Sequence, residues 1–185
     1  MTPRRSVPAR SVHAKSVPAK SAPAKSGSAQ SGTSRPIRIE RQVCFSLHAA
    51  ARAYDALYRE LLAPHGLSYP QYLVMIVLGQ SEPLAVKDIG ASLRLDSGTL
   101  SPLLKRLEGA GLVTRARDVG DERRVRVSLT AAGRGTLHNL GTIPAQVAKA
   151  SGLSLTELRS LMALLRTTTS AVDQKIGQLR AADGA

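Results

Sequence analysis

The sequence predicts a mainly α-helical protein with one small β-ribbon, and three observations carry that expectation. Apolar residues recur at helical spacing in several separate stretches after residue 43. Among them a single segment, LVTRARDVGDERRVRVSL at 112–129, alternates apolar and polar residues with the period of two that suits strands. Residues 1–40 carry neither pattern.

The elements follow in order. Residues 6–30 read SVPAR SVHAK SVPAK SAPAK SGSAQ, a degenerate pentad beginning with Ser and usually ending in a base. Proline recurs, aromatics are absent and no face could be buried, so residues 1–40 are expected to form a disordered basic tail, with order starting near residues 37–42. From 43 to 62 the residues Val43, Leu47, Ala50, Ala51, Tyr54, Leu57, Tyr58, Leu61 and Leu62 fall on a helical face. APHGLSYP, at 63–70, breaks that helix, and Pro70 suits the first turn of the next. The run QYLVMIVLG is apolar on nearly all sides and should be deeply buried. After a turn at SEP comes a short helix in LAVKDIGASLRL with Val86, Ile89 and Leu93 inward.

DSGTLSPLLKRLEGAGL then offers Asp96 or Ser97 as N-cap, a stripe of Leu100, Leu103, Leu104 and Leu107, and Gly109 or Gly111 as the stop. Pro102 lacks an amide donor, so a local bend or a late helix start is expected there. In the ribbon, Val113, Arg115 and Arg117 share one face of the first strand. Val125, Val127 and Leu129 alternate with Arg124, Arg126 and Ser128 on the second, and DVGDE joins the two. Thr130 can cap a helix through AAGRGTLHNL, and SLTE at 154–157 is a capping box with Leu155, Leu158, Leu161, Met162 and Leu165 on one side of its helix.

Composition excludes several classes. One cysteine rules out an intramolecular disulfide framework and fits a reducing cytoplasm. No apolar run approaches the ~18–20 residues of a membrane span. The N-terminus lacks the apolar core of a secretory signal, although its Arg/Ser-rich, acid-free character superficially resembles a transit peptide. The histidines at 13, 48, 65 and 138 show no metal-ligand spacing, so neither metal nor cofactor is expected. GRG at 133–135 lacks the third glycine of a dinucleotide loop. Cys44 and His48 share a helix face, but no general-acid partner or oxyanion device is readable beside them, which argues against an enzyme.

The net charge of +13 points toward a polyanion. Residues 1–39 hold eight Lys or Arg and no acid, leaving five of the thirteen positive charges to the other 146 residues. The tail reads as a solubilising extension or, alternatively, as an arm adding non-specific phosphate attraction. Deleting residues 1–36 would then flatten the salt dependence of nucleic-acid binding while sparing sequence preference.

Helix, helix, then two-stranded ribbon is the order of a winged helix-turn-helix, here over residues 70–129. Its second helix enters the major groove of double-stranded DNA and its ribbon tip the adjacent minor groove. Ser97, Gly98, Thr99 and Ser101 are short enough for close approach at a helix N-terminus. Lys105 and Arg106 extend from the polar side, and Arg115, Arg117, Arg123, Arg124 and Arg126 make the ribbon basic. A solvated Arg-rich hairpin on a small α+β domain is the alternative. Cys44, in RQVCFSLHAAARAYDALYRE, is read in two ways: an inert small hydrophobe, or a thiol activated at a helix start.

QVCFSLHAAARAYDALYRELLAPHGLSYPQYLVMIVL, VKDIGASLRLDSGTLSPLLKRLEGAGLVTRAR and DERRVRVSLTAAG resemble the MarR family of dimeric winged-helix regulators, within it most the organic hydroperoxide-sensing repressor (OhrR-like) branch. LDSGTLSPLLKRLE and LSYPQYLVM carry the resemblance to that branch. The ribbon alone indicates the wider family. The likeness covers residues 41–133 and continues more weakly to about 178.

It implies that Cys44 is a peroxide-reactive thiol hydrogen-bonded by Tyr58 and Tyr69, and that Arg123 is a minor-groove arginine. Fourteen residues of helix at 1.5 Å each put Cys44 and Tyr58 about 21 Å apart. Contact between them therefore requires a second subunit, with helices at 41–62 and 131–180 forming the homodimer interface. Two departures stand out. His48 occupies a position where some relatives carry a tyrosine. No second thiol exists to resolve a sulfenic acid, which must react with a small-molecule thiol, form a sulfenamide or overoxidise.

The sequence thus predicts a cytoplasmic, homodimeric repressor that releases a pseudo-palindromic operator on reaction with an organic hydroperoxide. The alternatives are a regulator of the same family gated by a small-molecule ligand, with Cys44 merely buried, and a Cys-dependent peroxidase.

Overall fold

Twenty residues of α1 (Val43–Leu62) form the first long helix, preceded by a 3-10 turn at Ile39–Arg41. The computed structural model describes residues 38–117 and 124–184. The tail through residue 37, the DVGDE loop and Arg123 lie outside the described residues. Five alanines within α1 favour the helix, yet only Leu62 of α1 is buried.

The chain turns through a 3-10 segment, Ala63–His65, and Gly66 at φ +63°, the left-handed region where a glycine is nearly free of strain. Ser68 then opens α2 (Tyr69–Gln80), its N–H donating to the Gln71 side-chain oxygen at 2.8 Å. Pro70 stands in the first turn, as its fixed φ allows. As its composition predicts, α2 is the central helix: Tyr72, Val74, Met75 and Leu78 are buried, and α1, α3, α4, α5 and a strand pack around it.

A two-residue strand, β1 (Leu84–Ala85), leads into α3 (Val86–Leu93). No periodicity can announce so short a strand. It exists because Leu84 pairs opposite Val127. The tight turn from α3 to α4 (Ser97–Gly109) depends on Gly90, which accepts from the Leu95 N–H at 2.9 Å. A Cβ at Gly90 would sit 2.8 Å from the Leu95 carbonyl oxygen, so a larger residue forces the turn open.

Asp96 caps α4, accepting from the Thr99 N–H at 2.8 Å. The late start expected at Pro102 does not occur, since the helix begins at Ser97 and runs through it. One lost donor and the crowding of the preceding turn cost about 3 kcal/mol or somewhat more. Burial of Leu100, Leu103, Leu104 and Leu107, at roughly 1.5–3 kcal/mol each, exceeds that.

β2 (Val113–Arg117) and β3 (Val125–Leu129) pair antiparallel, Val113 opposite Leu129 and Arg115 opposite Val127, and β3 lies between β1 and β2. Val113, Val127 and Leu129 close the core on the face the alternation predicted. Thr130 caps α5 (Ala131–Asn139) through the Gly133 N–H at 2.9 Å. A 3-10 turn at Leu140–Thr142 and α6 (Ile143–Ala150) follow, then the 29-residue α7 (Leu155–Asp183), opened by the Ser154–Glu157 capping box. The sequence reading missed α6, whose start is marked only by Pro144 in its first turn. No residue of α7 is buried, so among the described residues its apolar side is left open.

Candidate functional site

Two constellations carry the residues singled out by sequence. The first is the outer side of α4 with the adjoining ribbon. Ser97, Gly98, Thr99, Ser101, Lys105 and Arg106 are all exposed there. Two of the hydroxyls are also used inside the helix: Thr99 Oγ1 donates to Asp96 Oδ2 at 3.0 Å, and Ser101 Oγ to the Ser97 carbonyl at 2.7 Å. The same Thr99 bonds hold the Asp96 carboxyl below its ordinary range. Gly98 leaves room beside the cap, where a Cβ would meet Asp96 Oδ1 at 3.1 Å.

Arg115 lies on the ribbon's inner face, and its guanidinium is engaged by Glu108, with Nε 2.8 Å and Nη2 2.6 Å from Oε2. Those bonds lower the Glu108 carboxyl. Arg117, Arg124 and Arg126 are exposed along the ribbon. Glu82 ties the base of the wing, accepting from the Leu129 N–H and, at 2.8 Å, from Arg134.

The second constellation is divided along α1. Cys44 is exposed in the first turn, a turn that holds no acid. At the other end Tyr58 stacks on Tyr69, ring centroids 4.1 Å apart, with Tyr72 at 6.0 Å. All four tyrosines of the chain fall between residues 54 and 72, and Tyr54 is close enough to act on Tyr58 electrostatically. Burial first, then the neighbouring phenols, pushes the Tyr58 hydroxyl up to about 12. Tyr69 is raised by burial and by the Asp55 carboxylate, and Tyr72 by burial and Tyr69. At neutral pH these groups are protonated and can donate. The structure brings Tyr58 and Tyr69 together but leaves Cys44 at the far end of the same helix.

The sequence reading missed Tyr72, Gly90 and Glu108. Tyr72 had a signal, since it stands one helical turn after Tyr69. Among the described residues, no cluster of three or more His, Cys, Asp or Glu could hold a metal ion. Among them also, no single helix is long and apolar enough to cross a membrane.

The description "MarR family" matches residues 67–125. The HTH-type transcriptional regulator TtmR of Methylorubrum extorquens is 51% identical over 127 residues, 69% of this chain, which spans 65% of that relative's length. The organic hydroperoxide resistance transcriptional regulator of Bacillus subtilis is 40% identical over 75% of this chain and 95% of its own length. Reduced AbfR of Staphylococcus epidermidis, solved bound to DNA, is 32% identical with a TM-score of 0.62, covering 72% of this chain and 94% of that one. With a helix-turn-helix at α3–α4, a wing at β2–β3 and relatives of this identity over most of its length, the chain belongs to the MarR family of DNA-binding transcriptional regulators.

Proposed function

We propose that this chain is a homodimeric, cytoplasmic repressor that senses organic hydroperoxides through Cys44. The observation that carries the reading is the split site: an exposed thiol at one end of α1 and a stacked, protonated phenol pair at the other. A second copy, packed two-fold so that each α1 start meets the partner's α1 end, would join them. The open apolar side of α7 and the exposed Ile39, Val43, Phe45 and Leu47 offer a surface for that copy; in this reading residues 41–62 and 131–180 serve dimerisation and 70–129 serve DNA.

The chemistry is a two-electron oxidation. The Cys44 thiolate attacks the outer peroxide oxygen, the O–O bond breaks, and the alkoxide leaves as an alcohol with a proton from water or a phenol. Cys44 is then a sulfenic acid. A small-molecule thiol can condense with it, losing water to give a mixed disulfide. Either product is larger than a thiol and bonds differently to Tyr58 and Tyr69, so the two DNA-binding lobes shift and the operator is released. Moving from 99% bound to 99% free needs a coupling of about 5.5 kcal/mol. On the DNA, α4 with Ser97, Gly98, Thr99, Ser101, Lys105 and Arg106 reads the major groove, and the wing with Arg123 the minor groove, at half-sites roughly 10 bp apart. The B. subtilis relative, an organic hydroperoxide resistance regulator by name, supports the signal.

A second reading, gating by a small ligand, is favoured by a cavity of about 410 Å³ lined by Ala53, Tyr54 and Leu57 of α1 with Ala150 and Ser151. One experiment separates the two. Cys44→Ser should bind the operator duplex as wild type does and ignore stoichiometric cumene hydroperoxide, which should release the wild-type protein. Release of the serine variant by peroxide would remove Cys44 from the sensing step and leave the cavity as the sensor. Catalytic turnover of peroxide with a thiol reductant would point instead to a peroxidase.

A further inference from the structure

Glu108 and Arg115 stand on either side of the turn by which α4 becomes the wing. Between them the chain reverses through Gly111 at φ +70°, with Gly111 N–H donating to the Glu108 carbonyl and Leu112 N–H to the Leu107 carbonyl, each at 2.9 Å. Just past the end of β3, Thr130 Oγ1 donates to the Gly111 carbonyl at 2.7 Å. The ion pair closes the remaining side of this joint. Arg115 has its Cα opposite the fully buried Val127, and its Nε and Nη2 converge on one carboxylate oxygen of Glu108. Both side chains are only about one-third exposed.

We infer that Arg115 is a positioning residue rather than a nucleic-acid contact, and that the Glu108–Arg115 pair sets the angle of the wing to α4 so that the two enter their grooves together. This rests on the DNA-binding reading above and departs from it at one residue, since sequence reasoning placed Arg115 on the DNA. A carboxylate beside a polyanion is electrostatically unfavourable, so its presence at the wing's root calls for a structural reason. The pair supplies one: it holds the Arg115 guanidinium against Glu108 at the root of the wing, on the ribbon face that Val127 shares.

The two roles predict opposite signs. The probe is a duplex selected from a random pool by the full-length wild-type protein, and the variants are Glu108→Gln, Arg115→Gln, both together, and the reversal Glu108→Arg with Arg115→Glu. If the pair positions the wing, each single change weakens binding about fivefold, the size of a partly shielded ion pair. The double change is then no worse than either single one. The reversal restores affinity, and the slope of affinity against salt stays that of wild type. Glu108→Gln binding as tightly as wild type or tighter, with Arg115→Gln lowering the salt slope by about one, would overturn the inference and return Arg115 to the phosphates. A DNA-free measurement stands beside it: amide exchange across residues 113–129 should quicken in Glu108→Gln while α2 keeps its protection. Unchanged exchange there would also sink the proposal. Failure of the wild-type protein to select any duplex would count against the DNA reading alone, because the exchange experiment still decides whether the tie exists.

Discussion

Leu107 and Ile176 are both aliphatic residues on the apolar side of an amphipathic helix, yet Leu107 is wholly buried and Ile176 is 40% exposed. The difference runs through the molecule. From Leu62 to Ile143 the chain builds its own core, in which α2 is wrapped by α1, α3, α4, α5 and the sheet. Beyond that span, α7 and the first half of α1 show apolar residues to solvent. Leu158, Leu161, Leu165, Val172, Ile176 and Leu179 recur along α7 at intervals of three, four and seven, the seam of a helix that packs against another helix. The two regions obey the same patterning rule. What separates them is whether the described residues supply the complementary surface.

The largest expected effect tests that distinction directly. Val172→Asp combined with Ile176→Asp puts two charges into the seam and should raise the dimer dissociation constant at least about 100-fold. Sedimentation velocity would show monomers, while the near-native circular dichroism of the α2–β3 lobe persists. A double variant that sediments as wild type would remove α7 from the interface.

The next effect lies in the other region. Leu107→Ala should cost about 3 kcal/mol, the transfer term plus the cavity that a well-packed site cannot collapse. Urea denaturation should show that loss equally at every protein concentration. Ile176→Ala, by contrast, should lower stability in a concentration-dependent way if the α7 seam is made in association. Equal concentration dependence for both variants would mean that the lobe also relies on the partner.

Much of this architecture was legible in the sequence where local chemistry decides it. Thr130 and Ser154 announce their helices because a cap is a contact between residues three apart. The ribbon's inward face follows from alternation, and the distance from Cys44 to Tyr58 is simple helical arithmetic. Other features were hidden because they depend on long-range partners. β1 exists only through its pairing with β3, Leu84 opposite Val127 and Ala85 opposite Arg126. The passage of α4 through Pro102 depends on the core beneath it. The Arg115 guanidinium appeared free to reach DNA until the turn at Gly111 brought Glu108 against it, seven residues back. The apolar sides of α1 and α7 were readable as apolar, and the expectation of a second copy against them rested on the Cys44–Tyr58 separation and the family resemblance.

The smallest expected effect sits where the two regions meet, at the tyrosines that end α1. In the folded chain the Tyr58 hydroxyl is raised from 10.0 to about 12, so folding favours its neutral form. The sign follows from linkage. That contribution is fully present below the ordinary tyrosine range and is lost as pH rises from about 10 through about 12, because only there does the unfolded chain ionise while the folded one resists. At neutral pH both states are protonated and stability is untouched. The consequence at neutral pH is chemical instead: Tyr58 and Tyr69 remain hydrogen-bond donors, which is what a partner's thiolate or sulfenic acid would need from them. Ultraviolet titration should therefore show phenolate absorbance of the native protein lagging that of the urea-unfolded chain across this window. Tyr58→Phe should remove the part that ionises last. Superimposed native and unfolded curves would mean that these phenols are as wet as any surface tyrosine. The far end of α1 would then offer Cys44 no better donors than water does.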